Sequence, residues 1–573
     1  MLVASNREDD RQQYGSGMIP RASNVLLVFP RFNPNSFWSL RGVLDVVGVR
    51  CPAPPLGLIT LAALLPQTWN FRLIDRNAEE LTDADLIWAD LVMTGGMLPQ
   101  QPDALHVIDL CRARSVPVVV GGPDATSSPH LYAKADFRVL GEAEGIIEQF
   151  VEAWTGGART GVFEAEKFSA DVTKTPIPLF ELLKPHHYRY VGVQFSRGCP
   201  FNCEFCDIIE LYGRVPRTKT NEQMLAELDA LFRLGYRGHV DFVDDNLIGN
   251  KKSLKRFLPA LQQWQKERGY PFKFSTEASI NLADDAELLR MMREANFFLV
   301  FVGIESPDTD TLIAMQKKQN TRRSLAESVH RIYGAGIIVF AGFVIGFDNE
   351  AGSVSQAMID CIKATSIPMS MVGLLIALPN TQLARRLEKE GRLFQDYEIV
   401  KGDDDYQTLS LNFTTLRPRR DIFEDYRRVL ESVYDPVAYF GRVRGVARAL
   451  KCSGPSGRMA VTAFDILALA RIVWHMGIRR SGLRRHFWGA LIDCCRHNPR
   501  ALPQVLYMVA FYLHLGQFSR VVVAELDRFV KAIDAGEWEA PPLLRGRAAV
   551  AASHDVAIAA AGLGRWDTGS VRP

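Results

Sequence analysis

The chain has 573 residues, more than one ordinary hydrophobic core accommodates, so its length predicts about three or four domains. Its 67 Lys and Arg balance 65 Asp and Glu, leaving a formal charge of +2, which argues against a global attraction to nucleic acid. No apolar run approaches the roughly 18 residues of a spanning helix; the best candidate, Val505 to Leu515, is short and contains His514, and the polar start of the chain has no signal-like apolar core, so a cytoplasmic location is expected.

Residues 1–22 read as a polar tail. From Asn24 onward, short apolar runs alternate with helix-like segments: NVLLVFP, PPLGLITLAALLP, FRLIDRN, ADLVMTGG, a helical stretch through Cys111, VPVVVGGP and FRVLGEAE. Continuous apolar strands in a βαβ rhythm predict a doubly wound, Rossmann-like parallel sheet over residues 23–155, with Gly-rich strand ends marking the ligand edge. Residues 156–190 are Pro-rich and weakly periodic, as in a surface linker.

A second βα series over 191–410 runs from VGVQFSRGC through HVDFVDDN, FKFSTEAS, FFLVFVGIES, IVFAGFVIGF and MSMVGLLIALPN, six units that predict a partial (β/α)6 barrel. Residues 411–541 read as an α-helical C-terminal domain, and 542–573, rich in Ala, Gly and Arg, as a mobile tail. Nine cysteines, odd in number and scattered, do not suggest a disulfide framework. Only Cys199, Cys203 and Cys206 cluster, at CxxxCxxC spacing directly after the first barrel strand. Three thiolates in one loop suit a four-iron, four-sulfur (4Fe-4S) cluster with one iron left open. A structural zinc loop or an electron-transfer cluster would need a fourth ligand, from Cys361 or a histidine.

This spacing, with Phe205 before the last cysteine and a six-unit βα series around it, resembles the radical S-adenosylmethionine (SAM) superfamily. The resemblance implies SAM over the open end of the barrel, with its amino group near Asp244, Asp245 or Asn246 in FVDDN. The superfamily's usual Gly-Gly-Glu is missing there. Glu277 and Glu305, at the next two strand ends, are acceptors suited to ribose hydroxyls or equally to structural ion pairs. The stretch Gly342 to Glu350 is similar to the superfamily's GxIxGxxxE pattern, placing Gly342 and Gly346 against adenine.

A doubly wound domain ahead of such a loop resembles the cobalamin-binding subgroup, and carries over Thr94, Gly95, Gly121, Gly122 and Glu142 as cobalamin contacts. The DxHxxG signature is missing after the first strand, so no histidine ligand to cobalt is evident; His106 and His130 read as surface residues. PPLGLITLAALLP, SRGCPFNCEFCDIIELYGR, FVDDNLIGN, GIESPD and ALPNTQLARRLEKEGRL together resemble the group that includes the hopanoid C-2 methyltransferases. That resemblance implies reductive cleavage of one SAM to methionine and a 5′-deoxyadenosyl radical, hydrogen abstraction from an unactivated carbon of a lipid or other natural product, methyl transfer from methylcobalamin, and remethylation by a second SAM. It also implies a reducing partner such as flavodoxin or ferredoxin. Alternatives are non-methylating oxidation, cyclisation or rearrangement, and a non-catalytic binding module. The stretch RIVWHMGIRRSGLRRHFWGALI, followed by PQVLYMVAFYLHL, is compatible with peripheral membrane contact, although helices packed on the barrel with a solvated basic face explain it more simply.

Overall fold

A computed structural model describes residues 23–395, 411–452 and 463–544. The predicted N-terminal tail and all but residues 542–544 of the predicted C-terminal tail lie outside the described residues. Within 542–544 the chain is tied down: Gln395 N–H donates to Pro542 O at 2.7 Å and Leu544 N–H to Leu393 O at 2.8 Å.

The first sheet has six parallel strands, β1 (Asn24–Phe29), β2 (Asn70–Asp75), β3 (Leu91–Gly95), β4 (Val118–Gly121), β5 (Phe137–Leu140) and β6 (Gly161–Glu164), in the order β2-β1-β3-β4-β5-β6. Val25 through Val28 are fully buried, because helices cover both faces and each side of the strand faces a core. The order reverses at β1, so the crevice at the carboxyl ends of β1 and β3 is the ligand edge. Strand β6 falls inside the stretch expected to be linker, and the sheet therefore extends to Glu164. Its short GVFE sequence, alternately exposed at the sheet edge, lacks the continuous apolar run that marks an inner strand.

The second sheet has six parallel strands, β7 (Val191–Val193), β10 (Gly238–Phe242), β11 (Phe272–Glu277), β12 (Phe297–Glu305), β13 (Ile338–Ile345) and β14 (Ser370–Leu374), in the order β14-β13-β12-β11-β10-β7. A small antiparallel pair, β8 (Ser196–Arg197) and β9 (Arg217–Thr218), brackets the cysteine loop. Alternation sorts the faces. Phe272, Phe274, Phe297, Val300 and Val302 are fully buried beneath the outer helices, whereas Asp241, Lys273, Glu277, Phe301, Gly303, Gly342 and Val344 point inward and keep accessible surface.

The C-terminal helices brace this partial barrel. The Tyr426 hydroxyl donates to Val372 O at 2.8 Å and that of Tyr434 to Ser370 O at 2.5 Å, satisfying carbonyls on the outer edge of β14. The helix Leu502–Asp534 closes the amino-terminal end of the barrel, with Tyr507 stacked on Phe340 at 6.3 Å and edge-on to Phe298 at 5.7 Å. This helix runs well beyond the short apolar segment seen in the sequence and is long and apolar enough to cross a membrane, but 72% of its most apolar window is buried inside the protein.

Candidate active site

The cysteine loop is held from below by β10 and the residues that follow it. Asp244 is 1% exposed, and its two oxygens accept from Phe195 N–H (3.0 Å), Ser196 N–H (2.5 Å) and the Ser196 hydroxyl (2.5 Å). Asp244, one of three residues expected near the SAM ammonium, thus braces the loop through both of its oxygens. Asp245 accepts from Gly198 N–H at 2.8 Å through one oxygen, leaving the other available. Burial raises both carboxyls, Asp244 to about 7 and Asp245 to about 6. Gly198 itself has φ +95°, and a Cβ there would lie 2.9 Å from Gly213 O, so the turn into Cys199 admits only glycine.

Burial pushes all three loop thiols up, Cys206 furthest. As thiolates they need cationic or donor partners. Asn246 Nδ2 donates to Cys199 Sγ at 3.7 Å and Gln319 Nε2 to Cys203 Sγ at 3.9 Å. The Lys317 ammonium lies near Cys203 and Cys206, pairs with Glu305, and sits 5.7 Å from the Phe205 ring centre. Among the described residues no three His, Cys, Asp or Glu side chains close on one metal ion, so the thiols do not form a zinc-like site. A larger centre reached by three thiolates, with positive charge to offset their burial, fits the donor set. Cys361 lies apart in the outer helix Ser355–Thr365, beside Pro307 and Leu312.

Glu305 ends β12 in the left-handed region, φ +65°. Gly303 makes room for its pair: a Cβ there would fall 2.4 Å from Glu305 Oε1 and 2.7 Å from Lys317 Nζ. Glu277 ends β11 facing the barrel interior. Enclosure by protein, with Asp241 and Asp245 nearby, raises its carboxyl to about 8. Gly342 lines the same interior near Phe301, and Gly346, at φ +112°, donates its N–H to Glu350 at 3.0 Å. Phe205 packs on Phe347 at 6.0 Å. Below them, His239 Nε2 lies 2.6 Å from Ser275 Oγ, which donates to Asp241. Burial and Arg189 pull Lys273 down to about 8, with Asp465 acting the other way.

The ligand edge of the first domain faces this end of the barrel. Arg197, two residues before Cys199, bridges Glu142 (3.1 Å) and Glu144 (2.7 Å), and Arg217 pairs with Glu142 at 2.9 Å. Glu142 thus joins the two domains, and Thr94, 3% exposed, donates to Val28 O at 2.9 Å. Side chains of both are occupied by the chain itself, and the glycines let neighbouring strand ends approach one another closely. A Cβ at Gly95 would lie 2.4 Å from Gly121 O, one at Gly121 would lie 2.8 Å from Val139 O, and Gly122 has φ +88°. A Cβ at Gly57 would meet nothing within 4 Å. Gly95 and Gly121 lie at the carboxyl ends of β3 and β4, the edge at which doubly wound sheets take their ligands. His106 and His130 are exposed, and the Pro30 to Phe37 loop after β1 contains no histidine.

Sequence reading missed Lys317, Gln319 and the pairing of Arg197 with Glu142 and Glu144. The two lysines of MQKKQN, shortly after GIESPD, were the available signal for the first.

A three-cysteine loop at the carboxyl end of a partial parallel barrel, roofed by the ligand edge of a doubly wound domain, defines a radical SAM enzyme with a cobalamin-binding domain. Family comparisons agree: residues 42–151 match the B12 binding domain, 193–353 the radical SAM superfamily, and 381–528 a domain of unknown function, DUF4070. An uncharacterized methyltransferase of Synechocystis sp. is 44% identical over 88% of this chain and 93% of its own length. The hopanoid C-2 methylase of Rhodopseudomonas palustris is 36% identical over 81% and 88%. In fold, the chain is similar to the cobalamin-dependent SAM radical enzyme OxsB, with a TM-score of 0.56 and 15% identity over 89% of this chain and 81% of that one. The chain belongs to the cobalamin-dependent radical SAM methyltransferase family, whose cofactors are a 4Fe-4S cluster, SAM and cobalamin.

Proposed function

We propose that this enzyme methylates an unactivated carbon of a lipid or other natural product, draws electrons from a flavodoxin or ferredoxin, and works in peripheral contact with a membrane. The observation that carries the reading is the Arg197–Glu142–Glu144 cluster, which ties the cysteine loop to the carboxyl-end strand loops of the first domain. The lipid reading is supported by the aromatic walls that Phe298, Phe301, Phe340 and Tyr507 offer in the barrel interior, beside the polar His239, Asp241, Lys273, Ser275 and Glu277. It is also supported by the similarity to a hopanoid C-2 methylase.

When bound, the cluster, SAM and cobalamin supply the radical and the methyl group; the protein supplies position. Cys199, Cys203 and Cys206 hold the cluster, and Asn246 and Gln319 orient two of those thiolates. Asp245, through its available oxygen, and Glu277, Glu305, Phe205, Gly342 and Gly346 surround SAM. Gly95, Gly121 and Gly122 bring backbone to cobalamin, with Thr94 and Glu142 behind them.

The test is an anaerobic assay of the reconstituted protein with cobalamin, SAM, a strong reductant and a lipid extract, following 5′-deoxyadenosine and S-adenosylhomocysteine together. Both products, with a lipid gaining one methyl mass, are expected. 5′-Deoxyadenosine without S-adenosylhomocysteine would replace methylation by a non-methylating radical reaction, and neither product from fully loaded protein would favour a binding module.

A further inference from the structure

The helix Ala463–Ile472 is unusual for a water-facing element. Phe464 is 48% exposed, Ile466 61%, Leu467 49% and Leu469 40%, and only Ile472 is buried. The apolar surface continues through the π-helical turn Val473–Arg479, where Trp474 is 54% exposed and Ile478 47%, and onto Trp488 and Ile492 of the helix Ser481–His497. Eight of the 22 exposed large apolar side chains among the described residues fall in this stretch. Soluble surfaces rarely gather them so.

The charge around the patch is mostly positive, with Asp465 and Asp493 as its acidic side chains. Arg479, Arg480, Arg484 and Arg485 are exposed, and among the described residues none has a carboxylate partner; Asp493 is already paired with Arg448. Two tryptophans beside arginines at the rim of an apolar surface match the interface between lipid headgroups and acyl chains. Position adds to this. The helix Ala463–Ile472 packs on Arg41–Val47, which itself packs on the floor helix Leu502–Asp534, so the patch lies on the amino-terminal side of the barrel, away from the cysteine loop.

We infer that the face formed by Ala463–Ile472, Val473–Arg479 and the start of Ser481–His497 seats the protein on an anionic lipid bilayer, with the apolar side chains at acyl depth and the four arginines on lipid phosphates. This deepens the lipid reading above by placing the membrane next to the barrel floor, and its test does not depend on turnover.

The experiment floats the full chain with vesicles of phosphatidylcholine and phosphatidylglycerol in equal parts, or of phosphatidylcholine alone. Anionic vesicles are expected to carry at least about tenfold more protein at low salt, with the difference shrinking at about 0.5 M salt. Ile466→Glu with Trp474→Glu should lower binding at least about tenfold, and Arg479→Glu with Arg480→Glu should reduce it to the level of neutral vesicles. Ile87→Glu, at an 80% exposed residue elsewhere, should bind as the parent does. Retained 5′-deoxyadenosine formation in the patch variants confirms that they are folded and that the barrel site is intact. No preference for anionic vesicles, or undiminished binding of Ile466→Glu with Trp474→Glu, overturns the inference. So does a dimer, seen by sedimentation velocity, that those substitutions dissociate without any vesicle binding, since the occupant is then a second copy. Loss of methylation with vesicle binding intact would instead strike the proposed reaction.

Discussion

Lys317 and Glu305 are buried together beside Cys203, and each is tolerable there because of the other. Removing one member of a buried pair leaves an uncompensated charge, at a cost of about 3–5 kcal/mol. Lys317→Met should therefore lower the thermal midpoint and reduce 5′-deoxyadenosine formation at least about tenfold. Lys317→Arg should recover part of both, since it restores the charge in a wider head. Glu277 makes a prediction of opposite kind. Its side chain is exposed to the open barrel interior, where the enclosing protein and Asp241 and Asp245 raise the folded carboxyl from 4.5 to about 8, so the folded state binds the proton more tightly than the unfolded chain. The stability it contributes is complete below about pH 4.5 and lost as pH rises through about 8. Glu277→Gln should match the parent in thermal unfolding at pH 5 and exceed it at pH 9.

Among elements, β12 shows how backbone serves the site. It carries Gly303 and Glu305 two residues apart, and the missing side chain of the first admits the ion pair of the second. Gly303→Ala should leave the strand in place but displace the buried ends of Glu305 and Lys317, lowering the thermal midpoint as well as weakening SAM binding. Equilibrium binding of SAM to the reconstituted protein, set against thermal unfolding, separates these effects. The residues after β10 work differently: Asp244 and Asp245 accept from the backbone that leads into the cysteines, so the register of β10 against β7 fixes the height of the loop.

Across the whole molecule, the first domain and the C-terminal region meet directly. His514 lies 3.0 Å from Phe37 O, and a Cβ at Gly42 would come within 2.7 Å of Leu513 O. Backbone cannot yield as a side-chain tip can, so Gly42→Ala should force the helix Arg41–Val47 off the floor helix and cost about 1–3 kcal/mol, seen as a lower thermal midpoint. The same contact means that the first domain and the barrel floor are tied through one helix. Arg197 provides the corresponding tie at the carboxyl end.

Much of this was legible in the sequence, because it is written in local pattern. Continuous apolar runs announced the inner strands of both sheets, and the CxxxCxxC spacing placed three thiols in one loop. What the sequence left undecided depends on residues far apart along the chain. Asp244 became a brace because the donors of Phe195 and Ser196, nearly fifty residues earlier, reach it first. Glu142 became half of a domain junction because Arg197 folds onto it. β6 lacked a legible pattern because an edge strand buries only alternate residues. The apolar segments of the C-terminal region looked alike in sequence, yet tertiary packing buried most of one and exposed the other. Hydrophobicity sets the drive toward burial, and only the folded chain decides which apolar faces find a partner.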